Sequence, residues 1–436
     1  MSYKAIIVKL NNVREHSNAD KLQLATVCGN QVIVGLDSKE GDVGVFFDVD
    51  GQLTKPFLMM MNLYRNAESN KDKNKSGMFD DNGRVRAQQF RGERSEGFWL
   101  PISTVQKVFK KTPTEEGSEF SLIGDIVICQ KYINPNTLNK QSSQKSSKKI
   151  ANEMFHQHFD TAQFGRNSNK IGVDDVVVIT EKTHGTSQRV SNCKIPLETK
   201  WYHKLFNVEP KSVWKDMIGT RRVILDDKKL KSDDGWHSSE FRVAASSQFL
   251  GNLKKGETVY YEVVGYETDG KAIMGSHSNS KMKGHLDKDA YKEFLETYGD
   301  TTVFSYGCAE KEHKVFVYRI TLTNEDGYSV DLSWDAVKER CDKLGVNYAT
   351  ELWKGTPSSL VVNTAISTDV SANFNEFVKN ISEGKTKTGH NLMEGVCLRV
   401  EKGITPLILK EKNFEFKCLE GIIKDNSEYI DAEESQ

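Results

Sequence analysis

Residues Val173–Ser187 read VDDVVVITEKTHGTS. The apolar run from Val176 to Thr180 is too short for a helix that packs on its own. It is bounded by Asp and Gly, as expected of a strand buried on both faces. Where the run ends, the chain passes through Glu181 and Lys182 into a turn of small residues, HGTS. Gly185 lets backbone approach a ligand closely, and Thr186 and Ser187 add hydroxyl and amide donors. Read alone, Lys182 is either a solvated strand-end lysine or a nucleophile. A nucleophilic amine must be neutral part of the time, which burial and nearby cations promote against an ordinary pKa of ~10.4.

Working outward, Glu262 lies inside the apolar strand TVYYEVVGY, and a buried carboxylate is costly unless paired or beside a metal. Glu394 precedes a second such strand in MEGVCLRV. Lys410 and Lys412 flank Glu411 in LILKEKNFEF, and strand alternation puts both lysines on one face. Tyr318, in KVFVYRITL, offers an aromatic face for a planar base. Arg221 and Arg222, in GTRRVIL, suit bidentate phosphate contacts. Each has a plainer reading: a surface ion pair for the lysines, core packing for Tyr318, a solvated edge for the arginines. Taken in order they are what covalent nucleotidyl transfer requires: a lysine nucleophile, a stacking aromatic, carboxylates for a hydrated cation, and cations for a phosphate.

In that order the motifs resemble those of the ATP-dependent RNA ligases, within the covalent nucleotidyltransferase superfamily. EKTHGTS is similar to motif I, GTRRVI to the arginine-bearing motif, YYEVVGY to motif III, VFVYRI to the motif with the stacking aromatic, EGVCLR to motif IV and LKEK to motif V. The likeness runs over residues 170 to 421. His184 in KxHG, where DNA ligases and capping enzymes carry KxDG, points to RNA ligases. The resemblance implies lysyl-AMP on Lys182, recognition of the adenine amino group by Glu181, and stacking by Tyr318. It further implies a Mg²⁺ or Mn²⁺ site at Glu262 and Glu394, AMP-phosphate contacts by Lys410 and Lys412, phosphate binding by Arg221, and support of later phosphate chemistry by His184. Gly185 and Ser187 would line the nucleotide site. Some relatives have Asn where this chain has Ser187, and Arg189 is a second candidate for that neighbourhood.

The first part of the chain has a different texture. AIIVKL, QLATV, QVIVGL and VGVFFDV are short β-rich runs separated by Asn, Gly and Asp turns, and imply a small barrel or sandwich over residues 1–133. REHSNADKLQLATV, Arg14 to Val27, resembles the OB-type tRNA-binding modules of some aminoacyl-tRNA synthetases. RGERSEGFWLP follows at Arg91 to Pro101. Arg84, Arg86, Arg91 and Arg94 lie among Phe90, Phe98 and Trp99, a mixture suited to RNA; the aromatics read equally well as barrel core. The polar stretch Asn66–Gly83 reads as a mobile loop. Residues 134–152 read as a flexible basic linker, 153–425 as the adenylyltransferase domain and 426–436 as an acidic tail. The expected fold is thus multidomain: an all-β OB-like barrel, then an α/β (α+β), ATP-grasp-like ligase domain with antiparallel sheets. An OB-like domain placed first resembles the type 5 RNA ligases. Helical periodicity is clearest in SWDAVKERCDKLG, with Ser333 as N-cap and Gly345 as stop.

With 60 basic and 61 acidic residues the chain is not a polycation, so nucleic-acid contacts need local patches. No apolar run approaches the ~20 residues of a membrane span, and MSYKAIIVKL reads as a first strand. Seven scattered cysteines without a CxxC pair argue for free thiols in a reducing, intracellular compartment. The expected activity is sealing of 3′-OH and 5′-phosphate RNA ends, at duplex nicks, by a monomer using ATP and Mg²⁺ or Mn²⁺. Two other readings stand beside it. One is another covalent nucleotidyltransferase, a DNA ligase or capping enzyme. The other is a non-catalytic tRNA- or RNA-binding protein.

Overall fold

The computed structural model describes residues 3–143, 152–196, 212–225, 240–360, 369–389 and 391–426. Two compact units emerge, and neither is contiguous in sequence. Among the described residues, one comprises 3–138, 278–300 and 414–426; the other comprises those between 139 and 277 and between 301 and 413. Residues 278–300 and 414–425, placed by the sequence within the catalytic domain, therefore pack with the N-terminal unit. The helix Phe414–Asp425 explains why: it buries Phe414, Phe416, Cys418 and Leu419, and its Gly421 carbonyl accepts a bond from Arg84.

The N-terminal unit holds a four-stranded antiparallel sheet in the order Glu119–Phe120, Ala5–Lys9, Val43–Phe47, Phe98–Pro101. A three-stranded sheet joins Asn11–Glu15, Leu22–Val27 and Asn30–Gly35. Alternation along these strands feeds Ile7, Val45 and Phe47 into one core, joined by Phe57 of the helix Lys55–Met60, and Ile6, Phe46 and Trp99 into another. Closure of a barrel needs every strand paired on both edges. Asn11–Glu15 pairs only with Leu22–Val27, so the expected closed barrel is not found among the described residues. Trp99 is a core side chain and the half-buried Phe98 packs against the core, whereas Phe90 is 41% exposed.

Residues Asn66–Gly83 fold around Asn70, which is 1% exposed. Its side chain accepts from the Tyr64 amide and donates to the Tyr64 carbonyl, both at 2.9 Å. One buried amide thus supplies order that the polar composition did not predict. The start of the expected linker forms the helix Pro135–Ser143, with proline at a first position that needs no N–H partner. The rest of that linker (144–151), the stretch 197–211 and the tail from 427 lie outside the described residues.

The second unit is built on two sheets. One has the order Ala162–Gln163, Leu407–Lys412, Gly395–Val400, Val177–Glu181, Glu351–Gly355. The other has the order Ile224–Leu225, Ser212–Thr220, Thr186–Pro196, Glu257–Gly265, His313–Thr323, Ser329–Asp331. All pairings are antiparallel except that of Ala162–Gln163 with Leu407–Lys412. The helix Trp334–Leu344 starts at Ser333, whose side chain accepts the Ala336 N–H, and stops at Gly345 in the left-handed region. It buries Trp334, Val337 and Cys341 against the six-stranded sheet. All seven cysteines are free, and among the described residues no helix is long and apolar enough to cross a membrane.

Candidate active site

The chain leaves the five-stranded sheet at Glu181 and enters the six-stranded sheet at Thr186. Lys182–Gly185 is therefore the crossing between the two sheets. Lys182 N–H donates to the Gly395 carbonyl at 2.8 Å, which ties the crossing to the start of the neighbouring strand. A Cβ on Gly185 would lie 2.6 Å from the Val263 carbonyl oxygen. The close approach that requires glycine is thus to a neighbouring strand of the same unit.

Alternation sorts the remaining side chains. Val177 and Ile179 enter a core with Val396, Leu398, Val400 and Leu409. Cys397 lies between Val396 and Leu398 and so faces the other side, as do Lys410 and Lys412 on the next strand. Lys410 stands opposite Cys397 and Lys412 opposite Gly395. Glu411 points away, 3% exposed, and pairs with Lys379 at 2.6 Å. In the second sheet Val259, Tyr261 and Val263 are core, which turns Glu262 to the other face, opposite Ser187.

These elements meet at Glu394. Its Oε1 lies 2.7 Å from Lys182 Nζ and its Oε2 3.3 Å from His184 Nδ1, and its side chain is 6% exposed. Burial alone would lower the Lys182 pKa. Glu394, then Cys397 and Glu262, more than reverse that and hold the ammonium above the ordinary lysine value. Burial likewise pushes Glu394 up, but Lys182, His184 and Lys412 hold it well below the carboxylate range. Nearby cations were expected to help neutralise the lysine; a carboxylate keeps it protonated instead. Burial pushes the Cys397 thiol up to about 11, so it is neutral.

Around this pair, His184 N–H donates to the Tyr306 hydroxyl at 2.6 Å, and the Phe304 ring meets the imidazole edge-on at 4.4 Å. Ser187 Oγ lies 3.0 Å from the Tyr318 hydroxyl. His158 packs edge-on to Tyr318 at 5.0 Å. Burial, with Arg319 and Arg221, pushes His158 down to about 3. The Glu181 carboxylate is buried and accepts the Lys387 N–H. Arg221 pairs with Asp160 at 2.6 Å, and Arg189 is buried, donating to the Thr220 carbonyl at 2.8 Å. His158, Phe304, Tyr306, Asn391 and Cys397 escaped the sequence reading. Only Cys397 had a signal there, its place three residues after Glu394 on the strand that faces Lys410.

Glu262 and Glu394 are oxygen donors that suit a divalent cation completed by water and phosphate oxygens. Among the described residues no three His, Cys, Asp or Glu side chains gather as a protein-only metal site.

The four arginines of the N-terminal unit that the sequence singles out, Arg84, Arg86, Arg91 and Arg94, divide into two pairs. Arg84 is 3% exposed and bonds Asp425 at 2.7 Å and Gly421 O at 2.8 Å. Arg86 bonds Asp80 and Asp425, both at 3.0 Å. Arg91 and Arg94 are exposed. Arg91 sits at φ 50°, its carbonyl accepting from Asn18 Nδ2 and its guanidinium donating to Asn18 O.

The fold has solved counterparts. Naegleria gruberi RNA ligase, as a lysine variant with ATP and Mn, is similar over 96% of this chain and 98% of its own, with TM-score 0.56 and 14% identity. The same ligase with pyrophosphate aligns at 0.56 and 13%, covering 94% and 96% of the two chains. A glutamate variant with AMP and Mn aligns at 0.57 and 12%, covering 95% and 97%. At such identities the likeness speaks for the fold. No curated protein matches the sequence closely enough to serve as a relative. A sequence model described as RNA ligase, however, matches residues 175–419. That match spans more than half of the chain and takes in Lys182, His184, Glu262, Tyr318, Glu394 and the Lys410–Lys412 pair: the chain belongs to the RNA ligase family.

Proposed function

We propose that this protein is an ATP-dependent ligase that joins 3′-OH and 5′-phosphate RNA ends, with nicks in a duplex as its substrate. The observation that carries the reading is the contact of Lys182 and His184 with one buried carboxylate, Glu394, at the crossing between two sheets. Lys182 Nζ, after giving up its proton, attacks the α-phosphorus of ATP; the N–P bond forms and the bond to pyrophosphate breaks. The 5′-phosphate of the RNA then attacks the lysyl-AMP phosphorus, freeing Lys182 and leaving an adenylylated end. The 3′-OH attacks the 5′-phosphorus of that end, a phosphodiester forms, and AMP departs.

Tyr318 stacks on the adenine, with Ser187 orienting its hydroxyl. Lys410 and Lys412 hold the AMP phosphate, and Arg221 binds phosphate once released from Asp160. Glu262 and Glu394 hold Mg²⁺ or Mn²⁺, which supplies charge neutralisation at the phosphoryl oxygens. The Naegleria structures, which hold ATP, AMP or pyrophosphate and in two cases Mn, support that cofactor set. The N-terminal unit acts as an OB-like RNA-binding module. Of the four candidate arginines Arg91 and Arg94 are exposed, while Arg84 and Arg86 act by anchoring the helix Phe414–Asp425.

The test is incubation with α-labelled ATP and Mg²⁺. Wild type acquires label on Lys182 in an alkali-stable, acid-labile bond, as expected of a phosphoramidate, GTP gives none, and Lys182→Ala gives none. Absence of label from wild type sinks the reading and favours an RNA-binding protein without catalysis.

A further inference from the structure

We infer that Phe304, Tyr306 and Asn391 form a clamp that positions His184, and through it Glu394, for attack by Lys182. This rests on the ligase reading above but concerns residues that no nucleotide or metal contact accounts for.

Tyr306 is 4% exposed and sits at φ 50°, a left-handed conformation unusual for a bulky residue. Such strain persists where the surroundings over-determine it. Here they do. Tyr306 N–H donates to Asn391 Oδ1 at 2.8 Å, and Asn391 Nδ2 donates to the Val303 carbonyl at 2.5 Å. Lys314 Nζ lies 3.4 Å and 3.3 Å from the carbonyls of Tyr306 and Gly307. The loop so fixed grips His184 twice. The Tyr306 hydroxyl accepts its backbone N–H at 2.6 Å, and the Phe304 ring lies edge-on to its imidazole at 4.4 Å and 71°. Asn391 stands three residues before Glu394, so one side chain links the loop to the strand that carries the carboxylate.

The consequence is mechanical. When Lys182 attacks, its ammonium no longer neutralises Glu394, and the carboxylate must stay in place by other contacts. His184 Nδ1 is such a contact, at 3.3 Å, and its position is set by the clamp. Misplacement by about 1 Å costs on the order of 100-fold in rate even when binding survives. These are positioning residues, and the loss belongs to the rate constant rather than to ATP affinity.

The experiment is single-turnover lysyl-AMP formation by full-length protein across a range of ATP concentrations, with melting curves as control. Tyr306→Phe keeps the ring and removes the acceptor. We expect its rate at saturating ATP to fall about 10-fold or more, with half-saturating ATP within about 2-fold of wild type. Asn391→Asp, which keeps the acceptor for Tyr306 N–H, should retain more activity than Asn391→Ala. The Tyr306→Phe, Asn391→Ala double variant should be little worse than the poorer single, because the residues act as one unit. A wild-type rate in Tyr306→Phe, or a change confined to half-saturating ATP, overturns the clamp. A wild type that forms no lysyl-AMP overturns the ligase reading itself, which separates the two failures.

Discussion

Lys182 Nζ lies 2.7 Å from Glu394 Oε1, so the proposed nucleophile rests as an ion pair with a proposed metal ligand. An ammonium has no lone pair, and the pair must open before chemistry begins. Because Glu394, Cys397 and Glu262 outweigh burial and raise the Lys182 pKa, the rate of lysyl-AMP formation should climb steadily with pH through the neutral and mildly alkaline range. Chelating the divalent cation should abolish it, since Glu394 then keeps its pairing with Lys182. A rate that is flat between pH 6 and 9 in a single-turnover assay would contradict this.

Tyr318 is the proposed base platform, and its two neighbours make different demands. Stacking on an aromatic ring is worth ~1–3 kcal/mol per base, and phenylalanine keeps the ring. Tyr318→Ala should therefore raise half-saturating ATP by about 10-fold or more, while Tyr318→Phe, which keeps the ring and gives up the hydroxyl contact with Ser187, should stay close to wild type. Equal behaviour of the two variants would show that the hydroxyl, not the ring, carries the function.

His158 gives a pH dependence of stability. Burial, with Arg319 and Arg221 adding to it, depresses its pKa from 6.5 to about 3. The unfolded chain therefore binds a proton first as pH falls. Stability is full above about pH 6.5 and drains away toward pH 3, at up to ~1.4 kcal/mol per pH unit. Replacing the ring by a group that cannot ionise, as in His158→Gln, should flatten the slope of unfolding free energy between pH 4 and 6 by up to that amount. Identical slopes measured by denaturant titration would refute the assignment.

How much of this was legible depends on the range of the interaction. Alternation placed Lys410 and Lys412 together and Glu411 apart, because that rule needs only neighbouring residues. The helix Trp334–Leu344 announced both its ends through Ser333 and Gly345. Motif order led to Lys182, Glu262, Tyr318 and Glu394, though not to the ion pair that holds the lysine protonated. Tyr306, Asn391 and His158 were silent. Tyr306 and His184 are 122 positions apart in sequence yet share a hydrogen bond, and no local pattern encodes such a contact. Arg84 and Arg86 misled for the same reason, since their partner Asp425 lies more than 300 residues away.

Those arginines separate structure from recognition. Arg84 is buried against Asp425 and Asp50, and its removal takes one cation from each carboxylate and a donor from the Gly421 carbonyl. Arg84→Ala should destabilise the protein by on the order of 3 kcal/mol. Arg91 is exposed, and Arg91→Ala should change stability by less than about 0.5 kcal/mol. It should weaken RNA binding with a shallower salt dependence, as a lost phosphate contact does, and leave lysyl-AMP formation intact. Wild-type RNA affinity in Arg91→Ala, read by titration at two salt concentrations, would remove that surface from the proposed interface.

Gly395 and Gly185 frame the site on two sides, and neither has room for a side chain. Gly395 stands at φ 139°, and a Cβ there would lie 2.1 Å from the Glu411 carbonyl oxygen. The backbone would have to move, taking with it Glu394 on one side and the carbonyl that accepts Lys182 N–H. Gly185 lies outside the left-handed region, so crowding opposes a methyl group there: Val263 O at 2.6 Å and Val264 Cγ1 at 2.9 Å. Both Gly→Ala variants should lower lysyl-AMP formation, Gly395→Ala the more severely, because conformational strain adds to the clash. Reversal of that order in a side-by-side adenylylation assay would mean that the crossing at Lys182–Gly185, rather than the strand start at Gly395, is the less forgiving part of the site.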